Sequence, residues 1–391
     1  MFRKVVVWLL LVCLIQRASP KTTARTKKEI LDQILPKDES DVLIAPANKT
    51  VVEVSMYILD FALGNDDGTE ATITFYIRQT WKDNRLKYPN SGLFKFIGIN
   101  SDDVIWTPDV FFSNQKKGYD FNIVRPNVFV KIFPDGTVFW SKKISVTTVC
   151  PVDFKRFPFD KQECSFHIES YGSNVDDIVL KWRNQSAVEI SSSIQIPLFQ
   201  LEKLVSASGI TQFSTGEYSF LGVHLYTSRS LTHYVYQIYL PSVVLVVLSW
   251  LPFWMKKRML IGRLLLCVGL LLTFITTINY SMRKPKSSQI TSIQLFIAMC
   301  FAFLTTSLIE TVLVHILSKD DDKIKECSES GDVMIVPRRT HILDLGSRLV
   351  VPAAYVLICT VYFATAGALA DNAIPIPGNK TDEIILNKCL M

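Results

Sequence analysis

The chain has 391 residues, of which 49% are hydrophobic and 20% charged, with a formal net charge of +6. Ordinary soluble chains carry about 25% charge; disorder, a collagen-like repeat and a small disulfide scaffold are excluded, and the apolar surplus argues against a wholly soluble globule. Acidic and basic residues are interspersed, and no basic cluster is interleaved with aromatics, so a nucleic-acid partner is not expected.

Residues 1–20 read as a signal peptide. Arg3 and Lys4 precede an apolar run from Val5 to Ile15, and Ala18 and Ser19 are small residues near a cleavage site. About eleven apolar residues are too few to span a bilayer. Residues 21–232 then form an extracellular domain, opening with one short helix over Lys27–Leu35. From 51 to 230, short runs of Val, Ile, Phe, Tyr and Thr are separated by turns such as Asn65-Asp66-Asp67-Gly68 and Pro134-Asp135-Gly136. That spacing predicts an all-β sandwich or barrel. Within Thr72–Gln79, alternation sends Ile73, Phe75 and Ile77 into the core and leaves Thr74, Tyr76 and Arg78 on the outer face. Cys150 and Cys164 are the expected disulfide pair in an oxidising compartment. Closing that loop stabilises the fold by about 3 kcal/mol in the chain-entropy view.

Four stretches contain no Asp, Glu, Lys or Arg: Tyr234–Met255, Leu264–Met282, Ser287–Ile309 and Leu349–Ala370. Each has the length a helix needs to cross the hydrocarbon core. The chain therefore divides into three spans within 233–318, a cytoplasmic loop at 319–348, a fourth span at 349–370 and an extracellular tail at 371–391. Lys256, Lys257 and Arg258 lie on the cytoplasmic side, as the positive-inside rule prefers, whereas Arg283, Lys284 and Lys286 fall outside and break it. The sequons at Asn48, Asn184 and Asn379 are extracellular glycosylation candidates; Asn279 lies within the second span, where a sequon has no such meaning. Cys389 is an odd thiol in the tail. The five histidines show no metal-ligand spacing, and neither a catalytic constellation nor a cofactor motif is present.

The loop Cys150-Pro-Val-Asp-Phe-Lys-Arg-Phe157-Pro158-Phe159-Asp160-Lys-Gln-Glu-Cys164 resembles the signature of the Cys-loop receptors, the pentameric ligand-gated ion channels. Arg78–Asp83, Trp106-Thr107-Pro108-Asp109 and Tyr239-Leu240-Pro241-Ser242 match in order. The resemblance implies an immunoglobulin-like Greek-key β-sandwich with a short N-terminal helix, followed by a four-helix transmembrane bundle. It further implies a plasma-membrane pentamer with both termini extracellular, four other subunits as partners, a small amine or amino acid as ligand, and contact with lipid and permeating ions.

The binding segments resemble those of glycine, GABA and glutamate receptors. On the principal face they point to Glu169, Tyr171, Phe213, Thr215 and Tyr218; on the complementary face, to Tyr76, Arg78 and Ser141. Aromatic faces hold an amine, with Glu169 as counter-charge, and a guanidinium fork holds a carboxylate.

Aligning Arg263 with the basic residue at the start of the pore helix places Leu265, Gly269, Leu272, Thr276, Asn279 and Arg283 on one face, with Leu272 at the central gate. Ile261-Gly262 stands where anion-selective members have Pro-Ala, and no Glu precedes Arg263 as in cation-selective ones. Basic rings at the mouths favour anions; a cation channel, or a receptor or accessory subunit that conducts poorly by itself, are the alternatives. The resemblance brings Phe157, Pro158 and Phe159 against the Arg283–Lys286 loop. It also suggests that Asp160 pairs with Arg229, with Asp66 and Asp67 nearby.

Overall fold

The computed structural model describes residues 27–36, 42–64, 69–90, 94–256, 259–281, 289–328, 339–370 and 381–384. The signal segment, the Asn65–Gly68 turn, Lys257, Arg258, Arg283, Asn379 and Cys389 lie outside them.

Helix α1 (Lys27–Ile34) forms where expected and buries Ile30. It packs on a sandwich of two sheets. The larger contains β1 (Thr50–Gly64), β2 (Glu70–Lys82), β3 (Ile97–Ile99), β5 (Gln115–Asp120), β6 (Val128–Ile132), β7 (Thr137–Val149), β9 (Ile178–Trp182) and β10 (Val188–Ile190). The smaller runs β13-β11-β12-β8-β4, with β4 (Val110–Phe112), β8 (Lys161–Ser170), β11 (Phe199–Phe213), β12 (Gly216–Arg229) and β13 (Thr381–Ile384).

Strict alternation explains β2: Ile73, Phe75 and Ile77 are buried while Thr74, Tyr76 and Arg78 stay partly exposed. Phe75 packs edge-on against Phe112 of the other sheet, and Trp81 against Trp106. The Cys150–Cys164 disulfide joins the end of β7 to β8, one residue from each sheet. Trp182 adds a second crossing, its indole donating to the Ala207 carbonyl at 2.8 Å. In the Pro134-Asp135-Gly136 turn, Gly136 has φ +82° and sits against the Asp83 carbonyl, where a Cβ finds no room.

Four helices are long and apolar enough to cross a membrane. These are α2 (Thr232–Trp254), α3 (Leu260–Ser281), α4 (Ser292–Ser328) and α5 (Arg339–Ala370). Helix α2 is π-helical over Val235–Tyr239 just before Pro241, whose missing N–H cannot sustain the regular ladder. Helices α4 and α5 run past the charge-free stretches, so much of the expected 319–348 loop is helical. Helix α5 begins at Arg339 and continues through the fourth span without interruption, carrying Pro352 inside it.

Candidate functional site

The principal half of the site is built on the smaller sheet. Register places Phe111 of β4, Glu169 of β8 and Phe220 of β12 in one row on the outer face. Tyr171, just beyond β8, is 77% exposed and stands edge-on to Phe111 with centroids 5.3 Å apart. Asp109 of the Trp-Thr-Pro-Asp motif fixes this corner: its carboxylate accepts from the Gly172 and Ser173 amides at 2.7 and 3.0 Å, and its carbonyl from the Tyr171 amide at 3.0 Å. The β11–β12 hairpin brings Phe213 against Tyr218 with centroids 5.8 Å apart, and the Tyr218 hydroxyl donates to Thr215 Oγ1 at 3.1 Å. Gly216 closes that turn at φ +142°, a region L side chains avoid. The structure thus brings Tyr171, Glu169, Phe213, Thr215 and Tyr218 onto one face, although Glu169 is buried between its aromatic neighbours.

The complementary half lies on the larger sheet. Arg78 and Ser141 are direct partners across β2 and β7. Tyr57 faces Tyr76 across β1 and β2, the two rings stacked with centroids 6.5 Å apart. The Arg78 guanidinium lies 5.4 Å from the Tyr57 ring centroid and 3.9 Å from Glu189 of β10. Three residues escaped the sequence: Phe111, Tyr57 and Glu189. Phe111 follows the Trp-Thr-Pro-Asp motif by two positions, which is a readable signal. Tyr57 and Glu189 are brought in only by register.

Below the sandwich, a 3-10 turn at Phe154–Arg156, capped by the Asp153 carboxylate, leads into Phe157 and Pro158, both buried. Phe157 packs edge-on against Tyr234 at the top of α2, and its carbonyl accepts from the Ile293 amide of α4 at 3.1 Å. Phe159 lies 6.3 Å from Tyr239. Arg229 meets Asp160 through two hydrogen bonds of 2.8 and 3.0 Å and lies over the Phe157 and Phe199 rings. Burial opposes the Arg229 charge, but Asp160 outweighs it and raises the guanidinium pKa above its ordinary value. The expected contact of this tip with Arg283–Lys286, and the contribution of Asp66 and Asp67, fall outside the described residues.

On α3, Leu265, Gly269, Leu272, Thr276 and Asn279 are all exposed, while Cys267, Leu270, Phe274 and Ile278 are buried against the bundle. At about 100° per residue, these two sets point in opposite directions. Arg263 does not join the exposed stripe. Its side chain is 1% exposed, turned into the subunit, and donates to the Met255 carbonyl. At the helix start, an inward turn gives the guanidinium the Met255 carbonyl in place of water. Asn48 and Asn184 are exposed. Among the described residues, no group of His, Cys, Asp or Glu converges for a metal ion.

Sequence comparison settles the family. A model of the neurotransmitter-gated ion-channel ligand binding domain matches residues 27–229, and one of the neurotransmitter-gated ion-channel transmembrane region matches 238–348. The chain belongs to the Cys-loop receptor family. It is 34% identical over 301 residues to a glutamate-gated chloride channel of Drosophila melanogaster, covering 75% of this chain and 66% of that protein. A gamma-aminobutyric acid receptor subunit beta-4 of Gallus gallus is 34% identical over 296 residues, covering 74% of the chain and 60% of the relative. A subunit theta of Mus musculus is 32% identical over 295 residues, covering 74% and 46%. The chain thus spans less than two thirds of the length of these relatives. As a Cys-loop receptor chain it is a multi-pass plasma-membrane protein with an extracellular ligand-binding domain, and its family comprises channels rather than enzymes.

Proposed function

We propose that the chain is one subunit of a pentameric channel gated by a small amine or amino acid. The observation that carries this reading is the division of the site. Tyr171, Phe213 and Tyr218 stand on one sheet, and Tyr76, Arg78 and Ser141 on the other, so one chain supplies two half-sites. A ligand is enclosed where the first face of one subunit meets the second face of the next. There, aromatic faces hold the amine, each worth about 0.5–2 kcal/mol, and Arg78 holds a carboxylate.

Ligand closure under the β11–β12 hairpin reaches the membrane through the same strands. β12 ends at Arg229, which is locked to Asp160, and the neighbouring Phe157 holds α2 and α4. A shift in this linkage biases the pore between two states. Leu272 supplies a ring of five apolar side chains that closes the pore by dewetting. The site chemistry and the glutamate- and GABA-named relatives favour an anion pore.

Whole-cell currents under glutamate, GABA, glycine and biogenic amines test this reading. A ligand-evoked current whose reversal follows chloride is expected; one that follows sodium refutes the anion assignment. A second reading, an accessory subunit that conducts poorly alone, is favoured by Leu265, a large apolar side chain 69% exposed near the cytoplasmic end of the stripe. Silent homomers that conduct once Leu265→Ala is introduced support it; a robust ligand-evoked current from the unaltered homomer excludes it.

A further inference from the structure

The fifth strand of the smaller sheet comes from beyond the fourth membrane helix. β13 (Thr381–Ile384) lies antiparallel on β11, with Thr381 opposite Ala207, Asp382 opposite Ser206, Glu383 opposite Val205 and Ile384 opposite Leu204. In the sheet order β13-β11-β12-β8-β4, β11 has no other neighbour on that side among the described residues. An uncovered β11 would present a row of free N–H and C=O groups, a template for unwanted pairing. A short added strand satisfies them by main-chain hydrogen bonds, the mode in which sheet edges take up extended segments. Its register sets Ile384 against Leu204, a member of the sandwich core, and the acidic positions 382 and 383 beside it.

The reach is sufficient. β11 starts near the membrane, where Phe199 pairs with Arg229, and Ala207 stands eight residues higher, about 26 Å at the strand rise. Eleven residue steps separate Ala370 from Thr381, enough for about 36–40 Å when extended. A subunit's own tail therefore spans the distance from its own α5. The same β11 continues to Phe213 at the tip of the ligand-capping hairpin.

We propose that β13 is a strap: it closes the open edge of the subunit's own ligand-binding sheet, so that the chain leaving the fourth membrane helix is anchored on the strand that leads to the ligand-capping hairpin. The occupant of the β11 edge is the same chain's tail, not a neighbour's. The assignment does not depend on which ligand opens the channel.

Cysteine pairs in the full-length chain test it, in a Cys389→Ser background, under mild oxidation on intact cells. Directly opposed residues of an antiparallel pair fall within disulfide reach, whereas positions more than about 7 Å apart do not. Val205→Cys with Glu383→Cys is expected to link within one chain, read by mobility and peptide mapping. Gly209→Cys with Glu383→Cys, about 13 Å out of register, is expected not to link. No link in the first pair, equal linking in both, or linked dimers overturn the proposal. If the double variants do not reach the surface, hydrogen exchange of the purified chain decides. Asp382→Pro with Glu383→Pro removes a ladder donor whichever of the two successive amides faces β11, and those Leu204–Ala207 amides that face β13 rather than β12 are expected to exchange at least tenfold faster than in the parent; unchanged exchange throughout overturns the proposal.

Discussion

Asp160→Asn is the most informative single perturbation of the membrane-facing end of the sandwich. The Asp160 and Arg229 side chains are 1% and 0% exposed, so neither charge has water to fall back on. Asparagine keeps the shape of aspartate, and with it the neighbour that Gln162 Nε2 contacts at 2.8 Å, but it removes the negative charge. The Arg229 guanidinium then loses the carboxylate that faces it, while the Phe157 and Phe199 rings and the Tyr234 hydroxyl stay beside it. Breaking a fully buried pair from one side costs about 3–5 kcal/mol. For a domain of this size, each kcal/mol moves the melting temperature by about 2–4 °C, so a drop of about 6–20 °C is expected for the detergent-solubilised receptor. Asp160→Asn combined with Arg229→Met removes both charges together and recovers much of the loss, a coupling of about 1.5–3 kcal/mol. Thermal unfolding followed by size-exclusion chromatography reads all four corners of the cycle. A single variant that melts within a degree or two of the parent, or a double variant whose loss is the plain sum of the singles, refutes the argument that the pair acts as a desolvated unit.

Three further outcomes follow from the geometry. Leu272→Thr wets the proposed gate; about 0.3 kcal/mol per subunit over five subunits lowers the half-activating ligand concentration about tenfold, and an unchanged dose–response curve removes Leu272 from the gate. Arg78→Lys loses the planar fork and weakens a carboxylate ligand tenfold or more, whereas Glu189→Gln, which frees Arg78 from its acidic neighbour at 3.9 Å, strengthens it; radioligand displacement checks both directions. His167 is held below the ordinary imidazole value by burial and then by His224, against the opposing pull of Glu163, with Phe220 edge-on to its ring. Its folded pKa lies below its unfolded one, so the unfolded chain takes up more protons as the pH falls through about 6.5. Stability is therefore full above that value and declines below it, and His167→Gln is expected to flatten the decline in melting temperature between pH 7.5 and 5.

Much of this architecture was legible in the sequence because it rests on short-range periodicity. β2 announces its core face by alternation, the four spans by the absence of charge, and the signature loop by its two cysteines around Phe157-Pro158-Phe159. The pairing of Arg229 with Asp160, by contrast, is implied by the family resemblance rather than by periodicity, and the two side chains meet at 2.8 Å. What remained hidden depends on register and docking. Tyr57 lies beneath Arg78 because the β1–β2 register sets Ser55 opposite Arg78 and Tyr57 opposite Tyr76. Glu189 arrives on a three-residue strand running parallel to β1, too short to carry any periodic signal. Arg263 followed the pore helix in sequence, yet its long side chain turns the other way, since one charged residue at a helix start does not fix its rotation. The β13 strand lies in a polar tail, and nothing local marks it as part of a sheet formed mostly from residues 110–229.

The division of the ligand site between two subunits is tested most directly by complementation. Phe213→Ala damages the principal face and Arg78→Ala the complementary face, so homomers of either variant have no intact site. Co-expression regenerates interfaces in which an unaltered principal face of one subunit meets an unaltered complementary face of another. Ligand-evoked current recorded from the mixture is expected to return at close to the parent's half-activating concentration. A mixture as unresponsive as each variant alone, with both at the cell surface, contradicts a site shared between neighbouring subunits.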